Sequence, residues 1–153
     1  MKLYDRIMKA VGLLLTIILI AVVAVVTAQV VFRYVLGNPL GWSEQICRML
    51  FMWGIMLGIP VVFYEKSDLV FDVLFQSFSK KVQRILSLIF IIVTIAFCVF
   101  YFAGGVDLML KTGSRMTSGI NMPLNVLYAA QPVSAVLLGI VFLERLIRWF
   151  KEK

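Results

Sequence analysis

Residues 32–58 read FRYVLGNPLGWSEQICRMLFMWGIMLG, and this stretch decides the fold. A long apolar run ends in it at Phe32, and a second apolar run begins near Ser43. Between them stands Gly-Asn-Pro at 37–39, a combination typical of turns. Ser43 suits the capping position of the second helix, because a serine oxygen can accept a hydrogen bond from the free amides of a first helical turn. The stretch therefore predicts two apolar helices joined by a short polar loop.

Three charged side chains lie at the ends of these apolar runs. Arg33 follows the first run, and only the 16 positions 49–64 of the second run lack charge. Because a helix needs about 20 residues to cross a bilayer, the second span must include Glu44 and Arg48. These two residues lie four apart and share one helix face. Charges so placed usually face protein or water rather than lipid.

We expect Arg33, Glu44 and Arg48 to form a polar network, with Asp107 at the exit of the third span as a weaker member. Such a network would fix the helix arrangement or contact a partner protein. The alternative is that each side chain separately extends to the headgroup level. The sequence alone leaves both readings open.

Two tryptophans and two glycines complete the set of candidate contact residues. Trp42 stands in the loop and suits a membrane-interface anchor. Trp53 lies deeper in the second span and is expected to pack against another helix. Gly54 and Gly58 form a G-x-x-x-G pattern, which allows a second helix to approach closely.

Composition places the chain in the membrane. It has 153 residues, of which 62% are hydrophobic, and a mean hydropathy of +1.00, whereas soluble domains are roughly 45–50% apolar. There is no histidine, which excludes His-ligated haem, His-dependent triads and ordinary zinc sites. Cys47 and Cys98 stand inside apolar runs and are expected to be buried packing residues. The net charge of +7 comes mostly from residues beside apolar runs, which indicates membrane topology rather than nucleic-acid binding.

The fold class that we predict is an all-α integral membrane protein, a single domain over 1–153. Four spans are expected, together with a short amphipathic helix lying in the membrane interface at about 68–80. The first span is a run of 23 uncharged residues, longer than the roughly 7–15 residues of a signal-peptide core, so we expect it to stay uncleaved. Pro132 should kink the fourth span by freeing the carbonyl of Tyr128. The predicted spans are 10–32, 43–64, 85–107 and 124–145.

Charge also predicts orientation. With both termini in the cytoplasm, 11 of the 15 lysines and arginines lie on the cytoplasmic side. The positive-inside rule then favours that arrangement. The candidate polar network would lie near the outer leaflet.

The motif of the opening stretch resembles a known family. Its characteristic residues are Phe32-Arg33-Tyr34, Trp42-Ser43-Glu44, Arg48, Phe51, Trp53 and Leu57-Gly58. They resemble the small membrane subunit of tripartite ATP-independent periplasmic (TRAP) transporters. The motif covers about a sixth of the chain, and the length and four-span layout resemble that family over the rest.

The resemblance implies a non-enzymatic, multi-pass subunit in the inner membrane of a bacterium or archaeon. Its partners would be membrane lipids, a large multispan membrane subunit and a periplasmic substrate-binding protein. The large subunit would carry the sodium and substrate sites, so this chain would bind no cofactor itself. It would act as a scaffold for an elevator-type motion. Import would be driven by the sodium gradient, and typical solutes would be carboxylates such as sialic acid or C4-dicarboxylates.

Two other classes of protein have four short spans. A self-sufficient four-helix exporter needs a carboxylate at mid-depth, and Glu44 lies too near a helix end for that. A membrane anchor of a redox complex would usually hold haem through histidine, which this chain lacks. Both remain as alternatives to the accessory transporter subunit.

Overall fold

Helices make up most of the computed structural model, which describes residues 2–38, 40–65, 79–113, 115–117 and 121–151, without the side chains at 2, 3 and 80. Within these ranges there is no β-strand, and one isolated bridge joins Met116 to Pro123. The predicted all-α class is confirmed. Most of the interfacial helix expected at 68–80 lies outside the described residues, which resume at position 79. The helices formed by the described residues are α1 (Lys2–Tyr34), α2 (Ser43–Glu65), α3 (Lys80–Thr112), α4 (Leu124–Tyr128) and α5 (Ala130–Lys151).

Four helical segments are long and apolar enough to cross a membrane, as predicted. Helices α1 and α3 each contain 33 residues and are longer than the predicted spans, because the charged flanks are also helical. At 1.5 Å per residue each measures about 50 Å, against a hydrocarbon core of about 30 Å. Their ends therefore extend beyond the hydrocarbon.

The fourth span consists of two helices, and Ala129 between them keeps helical dihedral angles of φ −60° and ψ −22°. The kink expected from Pro132 stays a prediction. Helices α4 and α5 are separated at Ala129, whose amide still donates to the carbonyl of Asn125 at 2.9 Å. Proline has no amide hydrogen for the carbonyl four residues earlier, which here belongs to Tyr128. Pro60 also lies inside a helix, yet α2 continues through it without interruption.

Helices α2 and α5 occupy the middle of the bundle. Helix α1 packs on α2, α2 packs on α5, and α3 packs on α5 and α4. In the most apolar windows, 28% of residues are buried in α2 and 39% in the α4–α5 segment, but only 11% in each of α1 and α3. The two flanking helices therefore present wide apolar faces outward.

Among the residues that the structure covers, three clusters of buried apolar side chains form the core. They join α3 to α5, α1 to both α2 and α5, and α1 to α2. Both cysteines are free and buried, as expected. The members of the clusters are Ile91, Cys98, Leu138 and Phe142; Met8, Val61 and Val141; and Ile18, Val22 and Leu57.

The bundle has two distinct ends. The terminal end contains the start of α1, the end of α2, the start of α3 and the end of α5, so both chain termini lie there. The loop end contains the opposite ends of these helices and the loops that follow α1 and α3. In the second loop, the amide of Leu124 donates to the carbonyl of Arg115 at 2.9 Å, which pairs the two sides of the loop.

Candidate functional site

The charged residues of the loop end contact their own helices. Arg48 Nη2 lies 3.3 Å from Glu44 Oε1, one turn away on α2, and the two side chains are 60% and 71% exposed. Asp107 pairs in the same way with Lys111 at 2.7 Å on α3. The Arg33 guanidinium lies 5.7 Å from the ring centroid of the adjacent Tyr34.

The predicted network is therefore not formed between helices of this chain. Among the residues that the structure covers, no hydrogen bond or ion pair joins Arg33, Glu44, Arg48 or Asp107 across helices. The physical reason is distance: a partner one turn away on the same helix is reached before a partner on another helix. The exposed pairs stay available to another protein, and their role in partner contact stays a prediction.

The start of α2 also differs from expectation. Ser43 is fully buried, and its hydroxyl donates to the carbonyl of Leu40 at 2.7 Å. The carbonyl of Trp42 accepts the amide of Ile46 at 3.3 Å, so Trp42 occupies the position before the helix. The capping role predicted for Ser43 is wrong, because its hydroxyl closes the loop instead. Trp42 is exposed, and its role as an interface anchor stays a prediction.

The deeper residues of the motif pack as predicted. Trp53 Nε1 donates to the carbonyl of Val126 in α4 at 3.2 Å, and its ring packs against the α1–α2 cluster. A Cβ added at Gly54 would lie 3.4 Å from Ile18, and one added at Gly58 would lie 3.9 Å from Leu15. The G-x-x-x-G face therefore lies against α1, at distances where an added Cβ would make ordinary van der Waals contact, so this packing does not require glycine at either position.

A hydrogen bond between α5 and α2 compensates for the proline in α2. Pro60 has no amide hydrogen, so the carbonyl of Met56 loses its partner within the helix. The hydroxyl of Ser134, itself almost fully buried, donates to that carbonyl at 2.5 Å. Serine from a neighbouring helix is one of the groups that can satisfy a carbonyl freed by proline in a membrane.

In the same region, polar contacts join α3 to α2 and α5. Tyr101 donates from its hydroxyl to Met56 Sδ at 3.1 Å, and Gln131 Nε2 donates to the carbonyl of Tyr101 at 3.3 Å. A Cβ at Gly105 would come within 3.0 Å of side-chain atoms of Gln131 and Pro132. Helix α3 can approach the start of α5 this closely because position 105 has no side chain.

The terminal end carries contacts between helices that the sequence did not reveal. The hydroxyl of Tyr64 in α2 donates to Asp5 Oδ1 in α1 at 3.0 Å, and the Tyr64 ring meets Tyr4 edge to face at 5.3 Å. Arg145 Nη2 in α5 donates to the carbonyl of Phe63 at 2.9 Å. That carbonyl lies in the last turn of α2, where helical partners run out.

Arginine–aromatic stacking links α3 to α5 at the same end. The Arg84 guanidinium lies 4.9 Å from the ring centroid of Trp149. Trp149 Nε1 is buried and has no acceptor among the described residues. Beside it, Arg148 makes two hydrogen bonds of 2.7 and 2.8 Å to Glu144. The residues of these terminal-end contacts all flank apolar runs in the sequence. That position was the available sequence signal.

Two of the concave sites formed by the described residues lie at the loop end and beside α3. A cavity of about 100 Å³ at the loop end is lined by Gln45, Arg48 and the second loop. A furrow of about 320 Å³ runs between α3 and α5 and is almost wholly apolar. Within the described ranges, no group of three or more His, Cys, Asp or Glu could hold a metal. The expectation that this chain binds no cofactor stays a prediction.

Comparison with known proteins identifies one family. The family model described as the DctQ component of tripartite ATP-independent periplasmic transporters matches residues 22–152. A TRAP transporter small permease protein of Haemophilus influenzae is 24% identical over 152 residues, which covers 99% of this chain and 92% of that protein.

Two longer relatives match over part of their length. The sialic acid TRAP transporter permease protein of Haemophilus influenzae is 27% identical over 133 residues, 82% of this chain. The isethionate TRAP transporter permease protein of Oleidesulfovibrio alaskensis is 25% identical over 137 residues, 84% of this chain. The matched regions are only 20% and 21% of those two proteins.

Proposed function

The chain belongs to the DctQ component family of tripartite ATP-independent periplasmic transporters, and we propose that it holds a large transport subunit in the membrane and helps to receive a periplasmic substrate-binding protein. The family is a transporter component and not an enzyme. With four apolar helices, the chain is a multi-pass inner-membrane protein. The observation that carries the proposal is the match of almost the whole chain to a small permease protein.

The large partner is proposed from the longer relatives. In the sialic acid and isethionate permease proteins, a region like this chain makes up about a fifth of a single polypeptide. We propose that a large multispan subunit supplies the function of the remaining four fifths. That subunit would carry the sodium and substrate sites, and the exposed faces of α1 and α3 offer apolar surface for it and for lipid.

The scaffold role is supported by how this chain uses its polar groups. Where α2, α3 and α5 pack together, three polar side chains form hydrogen bonds with other groups of the chain, namely Ser134, Tyr101 and Gln131. Such bonds stabilise one helix arrangement, each by roughly 0.6–2 kcal/mol in membranes. This suits a fixed support against which a mobile subunit moves.

The proposed orientation places the terminal end in the cytoplasm. It rests on the excess of lysine and arginine at that end. The loops after α1 and α3 would then face the periplasmic binding protein. Reporter fusions at positions 38 and 118 should be active in the periplasm, and fusions at 66 and 153 in the cytoplasm; any other pattern contradicts this orientation.

The proposed substrates are small organic anions. The printed names of two relatives specify sialic acid and isethionate, and the family resemblance adds C4-dicarboxylates. Sodium coupling is proposed for the complex on the same resemblance.

Reconstitution tests the proposal. This chain and a large multispan subunit that copurifies with it at fixed ratio would be placed in proteoliposomes. A periplasmic binding protein loaded with labelled sialic acid, isethionate or succinate would be added outside. We expect uptake that requires all three proteins and an inward sodium gradient, and that stops when an ionophore dissipates the gradient.

Two outcomes would contradict the proposal. Equal uptake without this chain would remove its role as an obligatory subunit. Recovery of this chain alone, as a homo-oligomer that moves solutes by itself, would favour the small-exporter alternative. Glu44 would then be the carboxylate to titrate.

A further inference from the structure

The furrow between α3 and α5 has the dimensions of a ligand site. Its volume of about 320 Å³ falls within the range of about 300–1,000 Å³ that is usual for ligand pockets. Ala135 and Gly139 have small or no side chains, so α5 projects little into the furrow. A Cβ at Gly139 would lie 4.0 Å from Cys98 Cβ. The walls are exposed apolar side chains, including Val99 and Phe102.

One arginine lies on the same stripe of α3 as the furrow. Arg84 precedes Ile95 by 11 residues and Phe102 by 18, and both spacings are close to whole turns of a helix with 3.6 residues per turn. Ile95 and Phe102 line the furrow. Arg84 therefore lies on this stripe at the terminal end, about 16 Å along the helix axis from Ile95.

Among the described residues, the terminal end carries more lysine and arginine than aspartate and glutamate. The carboxylate of Glu144 pairs with Arg148, while Lys81, Arg84 and Lys151 add further positive charge at this end. The guanidinium carbon of Arg84 lies 4.9 Å from the ring centroid of Trp149, and an arginine held against an aromatic ring can still donate hydrogen bonds to phosphate. Trp149 Nε1 adds a buried donor that has no acceptor among the described residues.

We propose that an anionic phospholipid binds along the junction of α3 and α5, with its phosphate at Arg84 and one acyl chain in the furrow. Guanidinium groups form strong, charge-assisted hydrogen bonds with phosphate, and basic pockets between membrane helices bind anionic headgroups. Charge complementarity selects a lipid over a partner helix, because an apolar helix would fill the furrow without using the arginine. The headgroup lies at the terminal end and the chain runs toward the bilayer centre.

Lipid retention in native mass spectrometry tests the headgroup contact. The full chain would be equilibrated in nanodiscs containing equal amounts of phosphatidylglycerol and phosphatidylcholine with identical acyl chains. We expect the chain to retain phosphatidylglycerol about fivefold more than phosphatidylcholine, as one cationic side chain at a lipid surface provides. Arg84→Gln should abolish this preference. Arg6→Gln removes the same charge from α1 at the same end and should leave the preference intact.

A second pair of variants tests the furrow. Val136→Trp places a large side chain in the furrow and should lower the retention of both lipids. Val93→Trp makes the same change at an exposed position of α3, half a turn away from the Arg84 stripe, and should have no effect. Circular dichroism melting would verify that all variants fold.

Three results would overturn the proposal. Equal retention of the two lipids by the unaltered chain would remove the headgroup site, and so would an equal loss in Arg6→Gln and Arg84→Gln. Loss of the bound lipid when a large membrane subunit copurifies would assign the furrow to a helix of that subunit. No transport is measured, so this test can fail while the proposed function stands.

Discussion

The two ends of the bundle contain similar side chains in different arrangements. At the loop end, Glu44 and Arg48 pair within α2, one turn apart and exposed. At the terminal end, Tyr64 reaches from α2 to α1, and Arg145 reaches from α5 to α2. The charged residues of the loop end thus pair within a helix, whereas the terminal end adds polar contacts between helices to the Arg148–Glu144 pair within α5.

The difference shows that charge placement alone does not locate an interhelical network. A carboxylate and an arginine four residues apart satisfy each other and contribute little to stability when exposed, typically 0–1 kcal/mol. Arg145 instead contacts an end-of-helix carbonyl and lies 5.1 Å from the ring centroid of Phe142. We therefore expect stability to depend on the terminal end and partner contact to depend on the loop end.

Arginine substitutions at the two ends test this most directly. We expect Arg145→Met to lower the free energy of unfolding by about 1–3 kcal/mol, because it removes a charge-assisted hydrogen bond to a carbonyl. Arg48→Met makes the same chemical change at the loop end and should cost less than about 0.5 kcal/mol. SDS unfolding titrations in mild detergent measure both. Equal losses would erase the distinction between the ends.

The hydrogen bond from Ser134 to Met56 tests whether contacts between helices also contribute to stability in the middle of the bundle. Ser134→Ala should cost about 1–2 kcal/mol, because it leaves a buried carbonyl unsatisfied. The loss should shrink in a Pro60→Ala background, since alanine at position 60 supplies the missing amide hydrogen. Unfolding free energies of the two single variants and the double variant give the coupling.

Thr27, whose hydroxyl also donates to a backbone carbonyl, provides the control for the double-mutant cycle of Ser134 and Pro60. Thr27 donates to the carbonyl of Val23 at 2.7 Å on the exposed surface of α1, a carbonyl that position 27 can also serve through its own amide. Thr27→Val should therefore change stability by less than about 0.5 kcal/mol. If Ser134→Ala costs the same with and without Pro60, the proline is not the reason for the bond.

Tyrosine substitutions should give a smaller contrast. Tyr64→Phe removes the hydroxyl that donates to Asp5 and should cost about 0.5–1.5 kcal/mol. Tyr34→Phe at the loop end alters an exposed ring edge and should cost close to nothing. Thermal unfolding followed by circular dichroism would compare them. A larger loss for Tyr34→Phe would reverse the assignment of the two ends.

A small effect on stability together with a larger effect on uptake is expected at Glu44. Glu44→Gln should change the unfolding free energy by less than about 0.5 kcal/mol, yet lower uptake by the reconstituted transporter severalfold if the pair contacts a partner. Arg48→Gln should lower uptake equally, and the double variant should be no worse than either. Unchanged uptake in all three would leave the loop-end pair without a partner role.

Much of the architecture follows from the sequence. The apolar runs predict four spans, Gly54 and Gly58 predict a face that packs on another helix, and Pro132 predicts a carbonyl of Tyr128 without a helical partner. These features succeed because each is a local property of one helix. The lengths of α1 and α3 were underestimated, since the absence of charge marks the hydrocarbon portion of a helix and not its ends.

The contacts between helices were harder to predict. Pro60 reveals that the Met56 carbonyl needs a donor, but only the packing of α5 on α2 identifies Ser134 as that donor. Arg145 and Tyr64 resemble ordinary flanking residues until the helices are assembled. The spacing of the loop-end charges is recognisable in the sequence, whereas a contact between helices depends on how the helices pack in three dimensions.

The proline in α2 has a consequence for synthesis of the chain. Met56 and Ser134 are separated by 78 residues, which a ribosome adds in about 4–16 s. During that interval α2 carries a carbonyl without its donor, and such a group costs several kcal/mol in lipid. We expect α2 to stay beside the insertion machinery or a water-filled site until α5 emerges. Completion of the last helix would then release the second one into the bilayer.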